Sequence, residues 1–318
     1  MQSKGMVINM HSFSYQVKSE IIESFNSFEK ANSAVLGILK FSKCFDKDNI
    51  SLITENELVA NFLYNQLNKI CGHDAVSIKN LRKSEKSNLF TVSVDDKQDR
   101  KLILNFFKVK SNRLLKEELP KKRFIPSLIA GIFLACGSVI DPNKEYHIEF
   151  VIPSLELCND FGIILIEYFD ILAKHTERKN TNIVYIKESE NIEDLLTLMG
   201  ASKASLEIMN VKILKDVRNK INRAVNCDNA NIEKSLKAAE RQIEDIELIE
   251  KTIGFSSLSD DLKEIAEIRY NNPDYNLKEL GQALSPPISR SGANHRLARI
   301  RKAADEIRQR NHKYLKDK

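Results

Sequence analysis

The sequence of 318 residues predicts an α+β fold in which a duplicated domain precedes an all-helical C-terminal domain. The segment SAVLGILKFSKCF at 33–45 returns as SLIAGIFLACGSV at 127–139, and the same order of helical and strand periodicity follows each copy. Near the C-terminus, two short apolar-faced helices are separated by two prolines. These observations predict two αβαββα repeats related by pseudo-two-fold symmetry and a separate all-α domain.

Each repeat is predicted to run helix, strand, helix, strand, strand, helix. In the first repeat the predicted elements after the opening helix are a strand at 50–54, a helix at 56–70 and strands at 75–81 and 89–94. In the second they are a strand at 146–152, a helix at 154–173, a charged segment at 175–179 and a strand at 183–187. The strand YHIEFVI alternates apolar and polar residues, which predicts a sheet with one packed and one solvated face.

Small residues in the two opening helices predict that these helices pack closely together. They are Gly37 in the first and Ala130, Gly131, Ala135 and Gly137 in the second. Helix axes usually lie 8–10 Å apart, and small residues on one side allow a closer approach. Because a glycine inside a helix costs about 1 kcal/mol, a packing role is expected. The alternative is a chance resemblance between two ordinary core helices.

The segment from Leu277 to Ile307 predicts two helices joined by a tight turn. The first begins after Asn276, a capping residue, and Ser285-Pro286-Pro287 ends it because proline cannot donate a backbone hydrogen bond. Ser289 or Ser291 can cap the second helix. Its predicted apolar stripe consists of Ala293, Leu297, Ile300, Ala304 and Ile307.

The face opposite this stripe predicts contact with a DNA duplex. Between Pro286 and Lys318 there are ten Lys and Arg residues and three acids, whereas the whole chain carries a net charge of only +5. A helix in the major groove needs hydrogen-bonding side chains near its N-terminus and cations at its flanks. The candidates for base edges are Ser291, Asn294, His295 and Arg299, and those for phosphates are Arg290, Arg296, Arg301 and Lys302. The alternative is a solvated basic helix.

Composition excludes several other classes of protein. The longest apolar run, Leu128 to Ile140, is interrupted by two glycines and is too short to cross a bilayer. No signal peptide opens the chain, so we expect a cytoplasmic, nucleoid-associated protein without membrane contact. The five cysteines never form a CxxC pair, and no Cys/His metal pattern, GxxxxGK[ST] loop, GxGxxG or GxSxG motif is present. We therefore expect no disulfide, metal or other cofactor.

Several segments resemble known families. Segment 127–139 resembles a degenerate LAGLIDADG helix of homing endonucleases. FLACGSVIDPNKEYHIEFVIPS, VRNKINRAVNCDNANIEKSLKAAERQIEDIELIEKTIGFSSL and LKELGQALSPPISRSGANHRL resemble the WhiA family of bacterial transcription regulators, from about His11 onward. The resemblance implies a LAGLIDADG-type domain fused to a helix-turn-helix similar to the promoter-reading domain of sigma factors. It also implies a role in transcription, cell division or sporulation.

The resemblance and the periodicity together predict four parts of the chain. They are a first LAGLIDADG-like repeat at 11–115, a second at 116–210, a helical connector at 211–255 and a helix-turn-helix domain at 256–318 with its motif at about 276–309. In the connector, Ile232, Leu236, Ala239, Ile243, Ile246 and Ile249 form a stripe that is expected to pack on a neighbouring domain. Gly254 is expected to end this helix.

The resemblance also implies that the LAGLIDADG-like domain is catalytically dead. In active members the eighth motif residue is an acid that binds divalent metal, and this position maps to Ser42 and Cys136. Neither residue supplies a carboxylate, so we expect no catalytic residues and no enzyme activity. Asp46, Asp48 and Asp141 leave a second hypothesis open, an endonuclease with relocated ligands.

The expected function is therefore sequence-specific DNA binding by a transcription regulator. The expected partners are double-stranded DNA and either RNA polymerase or another regulator, and the oligomeric state stays open. A further alternative is a nucleoid or division scaffold that binds protein partners. Whether the duplicated domain also touches DNA stays open as well, because its hairpin cations alternate with glutamates. These cations are Lys79, Arg82, Lys83, Lys86, Lys174, His175, Arg178, Lys179 and Lys187.

Overall fold

A computed structural model describes residues 12–83 and 88–316 of the chain. The chain divides into two compact units, Met1–Lys215 and Asp216–Lys318. The first unit has the predicted α+β architecture and the second is helical, so the predicted fold class is confirmed.

The N-terminal unit has the same order of elements twice. Its helices are α1 Phe13–Glu23, α2 Phe28–Lys40, α3 Glu57–Cys71, α4 Lys97–Phe106, α5 Ile125–Cys136, α6 Leu155–Phe169 and α7 Ser189–Met199. Its first sheet contains β1 Cys44–Phe45, β2 Ile50–Thr54, β3 Val76–Lys83 and β4 Asn88–Val94. Its second sheet contains β5 Gly137–Val139, β6 Ile148–Ile152, β7 Lys174–Arg178 and β8 Thr181–Ile186. The antiparallel strand orders, β1-β2-β4-β3 and β5-β6-β8-β7, are equivalent and confirm the duplication.

Each sheet contains one strand more than the sequence predicted. The additional strands β1 and β5 directly follow the related helices and pair with β2 and β6. They comprise only two and three residues, which is too short for an alternating pattern to be recognised. The predicted helix 154–173 also ends earlier, at Phe169, because Asp170 adopts the left-handed conformation with φ of 56°.

The predicted close approach of the two related helices is confirmed. A Cβ atom placed on Gly131 of α5 would overlap the backbone of Ala34 in α2, lying 2.6 Å from its carbonyl carbon. A Cβ atom on Gly37 would overlap the Leu128 carbonyl and lie 2.9 Å from the Ile132 nitrogen. At these two positions backbone therefore lies against backbone, and no side chain fits between the two helices.

The connector forms part of one long helix, α8, from Ser202 to Thr252. Gly254, with φ of 73°, follows its end as expected. The predicted apolar stripe is only partly buried. Ile246 and Ile249 are fully buried in the core of the C-terminal unit, whereas Ile232 and Leu236 are more than half exposed. The expected packing therefore applies to the C-terminal part of the stripe.

The C-terminal unit adds three helices, α9 Asp260–Asn271, α10 Leu277–Ala283 and α11 Arg290–Lys316. Asn276 caps α10 as predicted and forms a reciprocal capping box with Glu279. The Ser289 hydroxyl accepts the Gly292 N–H at 3.2 Å, so Ser289 caps α11. The core of this unit contains the predicted Leu280 and Leu284, both nearly fully buried.

A buried arginine shapes the turn that leads into α10. Arg269 is 2% exposed, and its Nη1 donates to the carbonyls of Pro273 and Tyr275 at 3.1 and 2.7 Å. Burial lowers the pKa of this guanidinium, and among the described residues no carboxylate forms an ion pair with it. Through these hydrogen bonds the buried Arg269 side chain connects α9 to the segment that leads into α10.

Candidate nucleic-acid interface

The second helix of the predicted pair, α11, packs through the face that the sequence predicted. All five residues of the predicted stripe are buried, with exposed fractions of 0–8%. They pack with residues of α8, α9 and α10 in a single core. Because the core holds the apolar face of α11 in place, the opposite face points away from the core and toward solvent. This is the arrangement that a DNA-reading helix requires.

Seven of the eight predicted contact residues are exposed on the surface of α11. They are Arg290, Ser291, Asn294, His295, Arg299, Arg301 and Lys302. Three of the cations, Arg290, Arg301 and Lys302, form no hydrogen bond or ion pair with any described residue. An exposed cation without a partner can meet a phosphate without first breaking an internal interaction. The polar candidates Ser291, Asn294 and His295 lie in the first two turns of the helix.

Two of the predicted contact residues interact with α9 instead of standing free. Arg299 Nη1 lies 2.8 Å from the Asp261 carboxylate, and Arg296 lies 4.0 Å from the same carboxylate. Arg296 is also the one candidate that is only partly exposed. The Ser259 hydroxyl and the two guanidinium groups hold the pKa of Asp261 below its usual range.

Sequence reasoning did not identify Asp261 as a partner of this helix. Its position in the first turn of α9 has a local explanation, because an acid there interacts favourably with the helix dipole. Only the packing of α9 against α11 brings it to Arg299, which is 38 residues away in the chain. Asp261 thereby orients the Arg299 side chain before any ligand is present.

Ser42, the first of the two positions that correspond to metal-binding acids, is committed to the backbone. Its hydroxyl donates to the Leu39 carbonyl at 2.7 Å and lies 3.3 Å from the Cys44 carbonyl. Lys40, two residues earlier, forms a buried ion pair with Glu118 at 2.6 Å. A neutral hydroxyl that is already hydrogen-bonded does not fit a hard divalent cation, which prefers charged oxygen ligands.

The second position, Cys136, lies beside a lysine. The Cys136 thiol donates to the Ile132 carbonyl at 3.3 Å, and burial raises its pKa to about 12. Lys18 of α1 lies close enough to interact electrostatically with this thiol. A protonated thiol next to an ammonium group does not fit a divalent metal ion. The sequence gives no sign that Lys18 lies beside Cys136, because α1 precedes the motif by more than a hundred residues.

The three acids considered as relocated ligands form turns. Asp46 accepts the N–H groups of Asp48 and Asn49, both at 2.8 Å, and Asp141 accepts the N–H of Asn143 at 2.8 Å. These backbone hydrogen bonds lower the pKa of Asp46 and of Asp141. Within residues 12–83 and 88–316, no three His, Cys, Asp or Glu side chains are grouped so that they could share a metal ion.

Several hairpin cations of the duplicated domain have acidic or polar partners. Lys174 pairs with Glu188 at 3.2 Å and Lys187 pairs with Glu145 at 3.1 Å, while His175 is hydrogen-bonded to Asn182. Lys86 and the side chains of Arg82 and Lys83 lie outside the described residues. Acids therefore neutralise two of these cations, Lys174 and Lys187, whereas Arg178 and Lys179 form no ion pair with a described residue. Among the helices that the structure describes, none has the length and apolar character needed to span a membrane.

Comparisons with known proteins match both units of the chain. Residues 125–218 match the family model described as the WhiA LAGLIDADG-like domain, and residues 221–304 match the model of the WhiA C-terminal HTH domain. The second match includes the part of α8 whose C-terminal end is buried against the helix pair.

Similar full-length proteins cover nearly the whole chain. A probable cell division protein WhiA of Clostridium acetobutylicum is 37% identical over 318 residues, which cover 93% of this chain and 98% of that protein. Its counterpart in Clostridium perfringens is 38% identical, with the same coverage. The crystal structure of full-length DUF199/WhiA from Thermatoga maritima is 25% identical, with a TM-score of 0.56 over 93% of this chain and 99% of that one.

Proposed function

The chain belongs to the WhiA family, and on this premise we propose that it is a sequence-specific DNA-binding regulator of transcription without catalytic activity. Its regulated processes are cell division or sporulation, and its place in the cell is the nucleoid. The observation that carries the proposal is α11, whose cationic and hydrogen-bonding face is exposed while its apolar face is held in the core.

The exposed residues of α11 divide by position into two roles. Ser291, Asn294 and His295 lie near the N-terminus of the helix, the part that approaches base edges in the major groove. Asn can form two hydrogen bonds with adenine, which makes Asn294 the strongest candidate for base discrimination. Arg301 and Lys302 lie further along, where contacts with phosphates position the helix without reading sequence. Arg290 and Arg296 are assigned to phosphates as well.

Arg299 is assigned to a base edge, and Asp261 prepares it for this contact. The 2.8 Å ion pair restricts the guanidinium before binding, so less side-chain entropy is lost when a guanine replaces or shares the carboxylate. The pair is about half exposed, so its own contribution to folding is small.

A single helix-turn-helix module buries only about 600–1,000 Å² on DNA. Tight binding to a promoter therefore requires a second contact, which RNA polymerase, another regulator or the duplicated domain would supply.

We expect alanine substitutions on α11 to separate sequence reading from phosphate binding. The paired variant Arg301→Ala/Lys302→Ala should lower the slope of log affinity against log salt by about 1.8, because each lost phosphate contact removes about 0.9. Asn294→Ala should weaken binding to the specific site about tenfold or more, while affinity for random duplex stays the same. Fluorescence anisotropy with a duplex recovered by genome-wide immunoprecipitation of the protein measures both.

The matched control for these variants is Arg241→Ala, an exposed arginine on α8 in the same unit. This variant should keep the affinity and salt slope of the parent protein. If all three proteins bind the duplex alike, α11 is not the interface.

The absence of catalysis is tested separately. Ser42 and the protonated Cys136 thiol offer no carboxylate to a metal ion, so supercoiled plasmid incubated with the protein and Mg²⁺ or Mn²⁺ should stay intact. Agarose electrophoresis detects nicked and linear forms. Metal-dependent nicking that Asp46→Asn or Asp141→Asn abolishes would establish the endonuclease alternative.

A further inference from the structure

The side chain of Lys18, a residue of α1, lies at the C-terminal end of α5, the helix that resembles a LAGLIDADG motif. Its Nζ donates to the Leu134 carbonyl at 3.3 Å and lies 5.6 Å from the centre of the Phe133 ring. The Leu134 carbonyl is one of the last four of α5, which have no partner within the helix. The ammonium group therefore sits at the negative end of the helix dipole, beside the position that corresponds to a metal-binding acid.

This ammonium group is incompletely satisfied. It carries three N–H donors, and among the described residues it has one carbonyl acceptor and no carboxylate within ion-pair distance. Burial lowers its pKa to about 8. The hydrogen bond to Leu134 accounts for one donor, and the described residues supply no acceptor for the other two, which can therefore bind a ligand.

The ammonium group lines a cleft of about 620 Å³ in the N-terminal unit. The start of α1, the junction of β2 with α3, and the junction of α5 with β5 form its walls. Three hydroxyl oxygens of this lining accept backbone N–H groups. They are Ser12 from Tyr15 at 3.2 Å, Ser14 from Val139 at 3.4 Å and Thr54 from Asn56 at 3.1 Å. Because each oxygen acts as an acceptor, its hydroxyl hydrogen stays available for donation.

The electrostatics of the cleft favour an anion. Lys18 supplies a full positive charge and is the main attraction for an anion, because the positive end of the α1 dipole is offset by the negative end of the α5 dipole, which also lines the cleft. One carboxylate, Glu55, belongs to the lining and is exposed. Exposure to water weakens its repulsion of an anion bound near Lys18.

We propose that this cleft binds a phosphate group, with Lys18 providing the charge and the hydroxyls of Ser12, Ser14 and Thr54 donating hydrogen bonds. A tetrahedral anion with several acceptor oxygens matches this set of donors, which line one cleft and come from α1 and β2. Lys18 thus supplies the positive charge at a place where an active endonuclease of this fold would hold a metal ion. The cleft would have kept an affinity for phosphate while losing the means to cleave.

The phosphate can come from two sources, the backbone of a DNA duplex or a free phosphate ion. In the first case the proposal deepens the proposed function, because the cleft becomes the second contact that α11 alone lacks. In the second case it is independent of DNA binding.

The experiment uses the full chain and the variant Lys18→Met, which keeps the length of the side chain and removes its charge. The control is Lys101→Met, an exposed lysine on α4. Thermal unfolding is followed at pH 7 in inorganic phosphate and in chloride of equal ionic strength. Phosphate should raise the unfolding temperature of the parent and of Lys101→Met, and Lys18→Met should need about tenfold more phosphate for the same shift. Far-UV circular dichroism checks that all three are folded.

A second arm measures the salt dependence of affinity for the duplex used with the α11 variants. A slope about 0.9 smaller in Lys18→Met than in Lys101→Met assigns the bound phosphate to DNA, and an unchanged slope assigns it to the free ion. If phosphate protects all three proteins equally and the slope is also unchanged, the proposal is overturned and Lys18 only caps α5. Because the phosphate arm contains no DNA, it gives its result even if the α11 variants refute the proposed function.

Discussion

Gly131→Ala is expected to destabilise the N-terminal unit by at least about 3 kcal/mol. The new methyl group would overlap the backbone of Ala34, with 2.7 Å to its Cα atom. Backbone atoms of α2 cannot rotate away as a side chain can, so the two central helices must separate and their core contacts must loosen. Inserting a carbon into a packed core usually costs 1–3 kcal/mol, and a clash with backbone lies at or above the upper end of that range.

Gly162→Ala is the matched control for this prediction. Gly162 lies inside α6, and a Cβ atom there meets nothing within 4 Å. The same substitution should therefore stabilise the protein by up to about 1 kcal/mol, through the higher helix propensity of alanine. Urea unfolding followed by circular dichroism compares the two variants. If Gly131→Ala proves as stable as Gly162→Ala, the contact between α2 and α5 does not depend on the glycines.

The close helix pair shows what the sequence predicts well. Glycines that recur in two related helices indicate that another helix packs closely against them, since glycine is otherwise unfavourable inside a helix. The apolar stripe of α11 was equally predictable, because a period of 3.6 residues identifies a buried face without knowledge of its partner. In both cases a local pattern encodes the contact. The fold class and the buried face of α11 could therefore be predicted from the sequence alone.

The contacts that pass between distant elements could not be predicted in this way. Asp261 meets Arg299, and Lys18 meets the end of α5, only because separate helices pack against each other. Charged residues on exposed helix positions carry no periodic signal that names a partner. The sequence therefore indicates which residues of α11 are exposed, but not which of them form an ion pair with an acid.

Lys18→Met should stabilise the protein by about 2–3 kcal/mol at pH 7, although it removes a hydrogen bond. The pKa of Lys18 falls from 10.5 to about 8 through burial, which means that folding disfavours the charged form. Each pKa unit corresponds to about 1.4 kcal/mol, and the lost hydrogen bond to Leu134 offsets part of the gain. Methionine fills a similar volume without a charge, so the cavity is not enlarged.

The dependence on pH identifies the cause of this stabilisation. Below pH 8 both folded and unfolded chains carry the Lys18 proton, and above pH 10.5 neither does. Between these values the unfolded state binds more protons, so this group makes the free energy of unfolding rise with pH. The advantage of Lys18→Met should thus shrink by about 1–2 kcal/mol between pH 7 and 9.5. The raised pKa values of Cys71 and Cys158 make the free energy of unfolding fall with pH, but both proteins share this contribution, so most of it cancels in the difference between their unfolding free energies.

A constant difference in the free energy of unfolding across this pH range would show that packing, and not the buried charge, separates the two proteins. A difference that shrinks would mean that the chain keeps a destabilising ammonium group at the cleft, as a binding role for Lys18 requires.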